Sequence, residues 1–423
     1  MSDDKAEIMQ RQVNINYLIY YESIYQCTPW MNSIRMFNAE KRKIKVYQRK
    51  YFDGKYNEEH DSIKFDIINS YNPKFLFQLF YQTARAFNLL KKINLKRISN
   101  LGITLNYLYT SFIYIFTVYV KTRKLKTKEI FIAGDPVSLI AAYIAVRNKK
   151  HVLIYWPLEL WVYKDLKLMY FKFLKRIEKK LNRYASGTLE FGSQRRMILS
   201  RENNIPVENI SVIPNAPVGE PKLERNYYFN EIFGIPSNKK IILYAGGFGY
   251  FNGIPQLIDN LKNMPGDYAL VLHSKLEMKK KNLEELLGRL KPYNAYLSFK
   301  PLPFDKINLI YSSCDIGLML MGPDKGNWDT NYIYADWSPG KMFNYLQYGV
   351  PLITTKLEGY KELIEGNGVG KVVEDINQVF TKADEIMLDV TSYKNNCLKL
   401  FNGLKFEKYH KLFFDGILNT NFN

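Results

Sequence analysis

The residues from Asp336 to Pro351 have the types and spacing to bind an anion. In the run Asp336-Trp337-Ser338-Pro339-Gly340-Lys341-Met342-Phe343-Asn344-Tyr345-Leu346-Gln347-Tyr348-Gly349-Val350-Pro351, Ser338 suits an N-cap, Pro339 the first helical position and Gly349 the position just past the helix end. The spacing predicts a helix over 339–348 and an apolar strand over 351–355. Free N–H groups and the dipole at such a helix start attract negative charge, and Lys341 in the first turn adds a full cation. Asn344 lies one turn further along the same face, and Asp336 precedes the cap. This surface suits a phosphate with a hydroxylated group beside it; the same residues equally suit an ordinary capped helix of an α/β domain. A second stretch, Gly246-Gly247-Phe248-Gly249 with Asn252 shortly after it, follows the apolar run 240–245 and can offer backbone N–H groups to phosphate oxygens.

The elements that must position these residues alternate between strand and helix, the pattern of parallel sheets in an α/β architecture. Strands are predicted at 13–20, 43–48, 129–133, 151–155, 186–191 and 209–213, with helices at 30–40 and 136–147 among them. Residues 214–236 hold four prolines and few apolar runs, which predicts an interdomain linker. A fresh series follows, with strands at 240–245, 268–273, 295–299, 316–321 and 351–355, helices at 254–263, 277–290 and 339–348, and a helical region from 376 onward. Two successive Rossmann-like halves are the economical reading. Ligands in such folds bind outside the C-terminal ends of strands, so the cleft between halves is the expected site.

Composition narrows the partner. At 423 residues, 47% hydrophobic and 24% charged, the chain is globular and long enough for two or three domains. Its net charge is +19 and uneven: residues 1–220 hold 36 basic and 19 acidic side chains, residues 221–423 hold 24 and 22. A one-sided basic excess points to nucleic acid, a membrane surface or a phosphorylated substrate. No nucleic-acid-binding signature accompanies it. Cys27, Cys314 and Cys397 form no CxxC pair, and the four histidines have no ligand spacing, so neither a disulfide framework nor a metal site is expected. The polar, acidic start predicts a cytoplasmic protein. Two segments bear on membranes. Leu101–Val120 is a run of 20 residues without a charge, readable as a buried helix, an aromatic-rich interfacial helix or a span. The stretch 164–183 interleaves Lys164, Lys167, Lys172, Lys175, Arg176, Lys179, Lys180 and Arg183 with Leu166, Met169, Phe171 and Phe173, as a helix lying on an anionic bilayer would, or as a core helix with a solvated basic face.

At the motif level the chain resembles the family 4 glycosyltransferases, retaining enzymes of the GT-B architecture. The Ser-Pro-x-Lys motif followed by Tyr-Leu-x-x-Gly-x-Pro resembles the family's signature helix. Ile242-Leu243-Tyr244-Ala245-Gly246 resembles the first strand and Gly-rich turn of its donor domain, and Ser313-Cys314-Asp315-Ile316-Gly317-Leu318 resembles its Ala-Asp-Ile-Gly strand. Phe131–Tyr143, Leu153–Trp161 and Val212-Ile213-Pro214-Asn215 resemble acceptor-side elements.

The resemblance implies two Rossmann-like domains facing across a cleft: 1–215 binding the acceptor, a 216–236 linker, 237–395 binding the donor, and 396–423 returning as a C-terminal helix to the first domain. It implies transfer from a nucleotide-diphosphate sugar, without a metal or other cofactor, to a lipid-linked or other saccharide acceptor in O-antigen or capsule synthesis. The site would be cytoplasmic, peripheral on the inner face of the membrane. Asp336, Lys341 and Glu159 take catalytic roles; Gly246, Gly247, Phe248, Gly249, Asn252, Ser338, Pro339, Gly340 and Asn344 bind the donor. Asp336 and Asn344 stand where the family carries two glutamates, Gly247 and Asn252 where it often carries Arg and Lys, and Leu158 where it carries His before the retained Glu159. Replacing the ribose-binding carboxylate by Asn344 removes charge-assisted bonds of about 1.5 to 3 kcal/mol. That fits a deoxythymidine diphosphate donor, which lacks the 2′-hydroxyl, or a catalytically degenerate scaffold subunit.

Overall fold

Short, wholly apolar runs such as Ile130–Ala133, Val152–Tyr155 and Ile316–Met319 are buried along their whole length, as parallel strands covered by helices on both faces must be. The computed structural model describes residues 13–24, 27–49, 63–68, 95–147, 151–248, 252–274, 280–299, 302, 306–321 and 329–422. It arranges these strands in two sheets belonging to two units, residues 1–213 with 409–423 and residues 214–408.

The first unit runs β1 (Ile15–Ile19), α1 (Thr28–Ala39), β2 (Ile44–Arg49), β3 (Ile63–Ile68), α2 (Leu95–Thr122), β4 (Ile130–Ala133), α3 (Pro136–Val146), β5 (Val152–Tyr155), α4 (Met169–Leu181), β6 (Gly187–Glu190), α5 (Ser193–Asn203) and β7 (Ile210–Val212). Its sheet is parallel in the order β3-β2-β1-β4-β5-β6-β7. The chain's direction of winding reverses between β1 and β4, and crevices form at such points. Here the crevice is closed by Asp135, the N-cap of α3. Its carboxylate accepts from the N–H groups of Val137 and Ser138 at 2.9 Å each and from Tyr20 N–H at 2.7 Å. Burial pushes its pKa up to about 6, against the pull of these bonds.

The uncharged run 101–120 lies within α2, whose residues Gly102–Thr122 are long and apolar enough to cross a membrane by length and composition, and it is not wholly buried. One face enters the core through Thr110, Ser111, Tyr114 and Val118, with Tyr114 donating to the Tyr47 carbonyl at 2.9 Å. The other face is exposed. In α4, Lys175 is not on the basic face. It is buried, 3.2 Å from Glu178, and donates to Asn203 Oδ1 at 2.6 Å. An unpaired lysine at that depth would be far costlier.

The second unit contains α6 (Tyr228–Phe233), β8 (Lys240–Ala245), α7 (Ile254–Asp259), β9 (Tyr268–His273), α8 (Lys280–Leu290), β10 (Ala295–Ser298), β11 (Ile316–Met319), α9 (Gly340–Gln347), β12 (Leu352–Thr355), β13 (Gly370–Val373), α10 (Val379–Met387) and α11 (Val390–Gly403). Its parallel order is β10-β9-β8-β11-β12-β13, reversing between β8 and β11. The Pro-rich stretch expected to be a linker is part of this unit instead. Arg225 pairs with Asp315, Asn226 N–H donates to the Ser312 carbonyl at 3.0 Å, and Phe229 is buried.

Most of α12 (Phe406–Phe422) is counted with the first unit. His410 stacks edge-on against Phe37 at 4.9 Å, and its Nε2 lies 2.7 Å from Ser33 Oγ, which accepts from the Tyr17 hydroxyl at 2.6 Å. Ser33 keeps its own hydroxyl proton, which a neutral imidazole can accept at Nε2. Burial, and then the Arg42 charge, push the imidazole pKa down to about 3. Between its ordinary value near 6.5 and that lower one the unfolded chain binds the extra proton, so stability falls as pH drops below 6.5. Urea unfolding between pH 6 and 4 should show a loss approaching roughly 1.4 kcal/mol per pH unit from this group, and His410→Gln should remove that component.

Candidate functional site

The reversal point of the second sheet is built differently from that of the first. Helix α9 is seated on β11 by Tyr345, whose hydroxyl donates to the Leu243 carbonyl at 2.9 Å and whose ring lies where a Cβ on Gly317 would come to 2.5 Å. Only glycine permits that approach. The N-terminus of α9 carries no side-chain cap, so the N–H groups of Gly340 and Lys341 have no intrahelical acceptor.

The start of α9 differs by one position from the sequence reading. Pro339 is the N-cap and Gly340 the first helical residue. Ser338 does not cap, because both its N–H and its hydroxyl bond back to the Ala335 carbonyl and close a turn. The loop before the helix is clamped by Asn215. Its N–H donates to the Trp337 carbonyl at 3.1 Å and its side-chain amide to the Ser338 carbonyl at 2.7 Å, and a Cβ on Gly340 would come to 3.3 Å from that amide. Asp336 is buried in this loop with φ of 46°, a left-handed conformation that aspartate tolerates better than most residues.

Lys341 is half-buried and reaches back over the sheet. Its Nζ stands 4.9 Å from the Tyr244 ring centroid and 3.0 Å from the point a Cβ on Gly246 would occupy. No carboxylate pairs with it among the described residues. The Tyr244 face supplies a weak cation–π attraction, which does not offset desolvation, and the ammonium pKa is pushed down from 10.5 to about 8. A desolvated cation at an uncapped helix start, at the reversal point of a parallel sheet, has the chemistry to receive an anion.

The Gly-rich turn holds this arrangement more than it contacts a ligand. Gly246 N–H continues the ladder to the His273 carbonyl at 2.9 Å, so it is not free for phosphate. The Gly247 carbonyl accepts from the Tyr244 hydroxyl at 2.9 Å and from Asn252 Nδ2 at 2.5 Å. Phe248 turns inward against Tyr244 and Phe299. Gly249 lies outside the described residues. Asn344, half-buried on α9, hydrogen-bonds the Tyr311 hydroxyl. Glu159 is an exposed residue of the loop after β5 in the first unit, near enough for its charge to act on the Cys27 thiol. Tyr244 and Asn215 were not among the site residues drawn from sequence, although both sit in runs that carry the family resemblance. Among the described residues no three His, Cys, Asp or Glu side chains converge as a metal site.

No protein-family model matches the sequence, and no curated protein sequence does. Solved structures share its fold along almost the whole chain. Alr3699/HepE of Anabaena, in complex with UDP-glucose, superposes with a TM-score of 0.65 at 12% identity, over 96% of this chain and 100% of its own. Sucrose-phosphate synthase of Thermosynechococcus elongatus does so with 0.66 at 13%, over 97% and 99%. WaaG, a glycosyltransferase involved in lipopolysaccharide biosynthesis, does so with 0.57 at 12%, over 94% and 99%. The fold is therefore GT-B, with two Rossmann-like units.

Two substitutions test this geometry. Lys341→Met removes a desolvated charge, so it should stabilise the free protein by roughly 1 to 3 kcal/mol below pH 8, the gain disappearing as pH rises toward 10.5. It should also weaken binding of inorganic pyrophosphate, read as a smaller thermal shift. Gly246→Ala meets the flexible end of Lys341 at 3.0 Å and the Tyr244 hydroxyl and ring edge at 3.1 and 3.4 Å; the melting temperature should stay near wild type while pyrophosphate affinity drops about tenfold, measured by calorimetry.

Proposed function

We propose that the chain is a glycosyltransferase that moves a sugar from a nucleoside-diphosphate donor to a saccharide acceptor. The observation that carries this reading is the desolvated Lys341 ammonium at the open N-terminus of α9. The UDP-glucose complex among the structures of like fold supports the donor class.

In the proposed reaction the bond from the anomeric carbon to the diphosphate oxygen breaks while an acceptor hydroxyl bonds to the same face, retaining configuration. Negative charge grows on the departing oxygen, and Lys341 with the N–H groups of Gly340 and Lys341 meets it there. The same-face attack sets the acceptor hydroxyl beside that oxygen, which takes the proton. Asp336 addresses the donor-sugar hydroxyls and Glu159 orients the acceptor. No metal is assigned a role.

Asn344 shares its polar capacity with Tyr311, which favours a donor asking for fewer ribose contacts, such as a dTDP-sugar. The basic first unit and a like-folded lipopolysaccharide enzyme favour a lipid-linked acceptor, used in O-antigen or capsule synthesis by a cytoplasmic protein peripheral to the inner membrane face.

Competition among UDP-, GDP- and dTDP-sugars in a transfer assay tests the donor: dTDP-sugars should compete best, and preference for a ribonucleotide would remove the Asn344 argument. No turnover of any donor with lipid-linked and free saccharide acceptors would replace the enzyme by a glycosyltransferase-like scaffold.

A further inference from the structure

Helix α2 has an outer face that the first unit does not use. Inward, Thr110 meets the Tyr20 hydroxyl at 2.6 Å, Ser111 bonds the Tyr170 hydroxyl of α4, and Tyr107 stacks on Tyr170 at 5.4 Å. Outward, Leu108, Tyr109, Phe112, Phe116 and Tyr119 are exposed, Phe112 by 63% and Phe116 by 53%, with these two rings stacked on each other at 6.1 Å. At 3.6 residues per turn these five side chains fall within an arc of roughly 100°. No charged residue interrupts 98–120. The exposed apolar surface is on the order of 500 Å², as large as the largest patch of an ordinary monomer.

The surroundings indicate what covers it. Beyond the C-terminal end of α2 come Arg123, Lys124 and Lys126, all exposed, and the packed neighbour α4 adds exposed Arg176, Lys179 and Lys180. A protein partner would find no charged group on the stripe itself to fix its register, only the Tyr109 and Tyr119 hydroxyls, whereas a bilayer interface needs none and accepts such amphipathic rings at headgroup level. Aromatic and aliphatic side chains enter the headgroup–acyl boundary, and flanking cations meet anionic headgroups.

We infer that the outer face of α2 is an in-plane membrane anchor, lying along the interface of an anionic bilayer while its inner face stays in the protein core. This takes its partner from the membrane assignment made above and adds the element that inserts.

The test is co-sedimentation of the full chain with vesicles of phosphatidylcholine alone and mixed with phosphatidylglycerol. Wild type should bind the mixed vesicles, and Phe112→Ser/Phe116→Ser should bind them at least about tenfold more weakly with an unchanged UDP thermal shift. As a second readout free of that double substitution, Leu108→Cys can be labelled selectively, since Cys27, Cys314 and Cys397 are buried. An environment-sensitive fluorophore there should shift to the blue on mixed vesicles and be quenched by brominated lipid. Undiminished binding of the double variant together with an unshifted label would overturn the α2 anchor alone. Failure of wild type to bind either vesicle would overturn the membrane assignment as well, and a dimer in solution that shields the label would give the stripe to a second copy of the chain.

Discussion

The structure turns on one poorly solvated ammonium. Lys341 sits over the Tyr244 ring beside Gly246, and burial holds its pKa near 8. Several otherwise separate features follow from keeping it there. Gly317 gives the Tyr345 ring room and so sets the depth of α9 on the sheet; Gly246 leaves room for the ammonium; Asn215 clamps the preceding loop; the Tyr244 hydroxyl and Asn252 both tie down the Gly247 carbonyl. None of these residues needs to touch a ligand to matter. Each costs or saves little alone, but together they keep a cation in a place where, without an anion, it is destabilising.

The two units show how one sheet plan yields two outcomes. Both are parallel with a reversal point beside the first strand, and both place a helix N-terminus there. In the first unit Asp135 satisfies the N-terminus of α3 internally and also binds the Tyr20 N–H, so the positive end of that helix is already neutralised. In the second, the N-cap is a proline with no side-chain acceptor to give. The helix start without a side-chain cap thus belongs to the unit of nearly neutral net charge.

Much of the fold was legible because buried parallel strands are short apolar runs: β1, β4, β5, β8, β9, β11 and β12 announce themselves in that way. Two of the four edge strands were missed, while β7 and β10 were read. In β3, Ile-Lys-Phe-Asp-Ile-Ile alternates as a strand should, but it stands alone between long polar stretches, and β13 offers only Gly-Lys-Val-Val. Lys341 was found because helix punctuation brackets it. What could not be read was direction: Ser338 looked like a cap but bonds backward to Ala335, Asn252 looked available but is turned onto Gly247, and Lys175 looked like surface charge but is paired in the core. Residue type and spacing give the inventory of polar groups, while tertiary packing decides which of them are already spent.

The central claim is that Lys341 is a desolvated cation awaiting a diphosphate. It is tested most directly by an NMR titration of the lysine side chains, with the Lys341 resonance assigned by its absence from Lys341→Met. In the free protein it should titrate near pH 8. With saturating dTDP its midpoint should rise by at least about one unit, because the phosphates stabilise the charged form. An ordinary midpoint above 10 in the free protein, or one that neither dTDP nor UDP moves, would contradict the account.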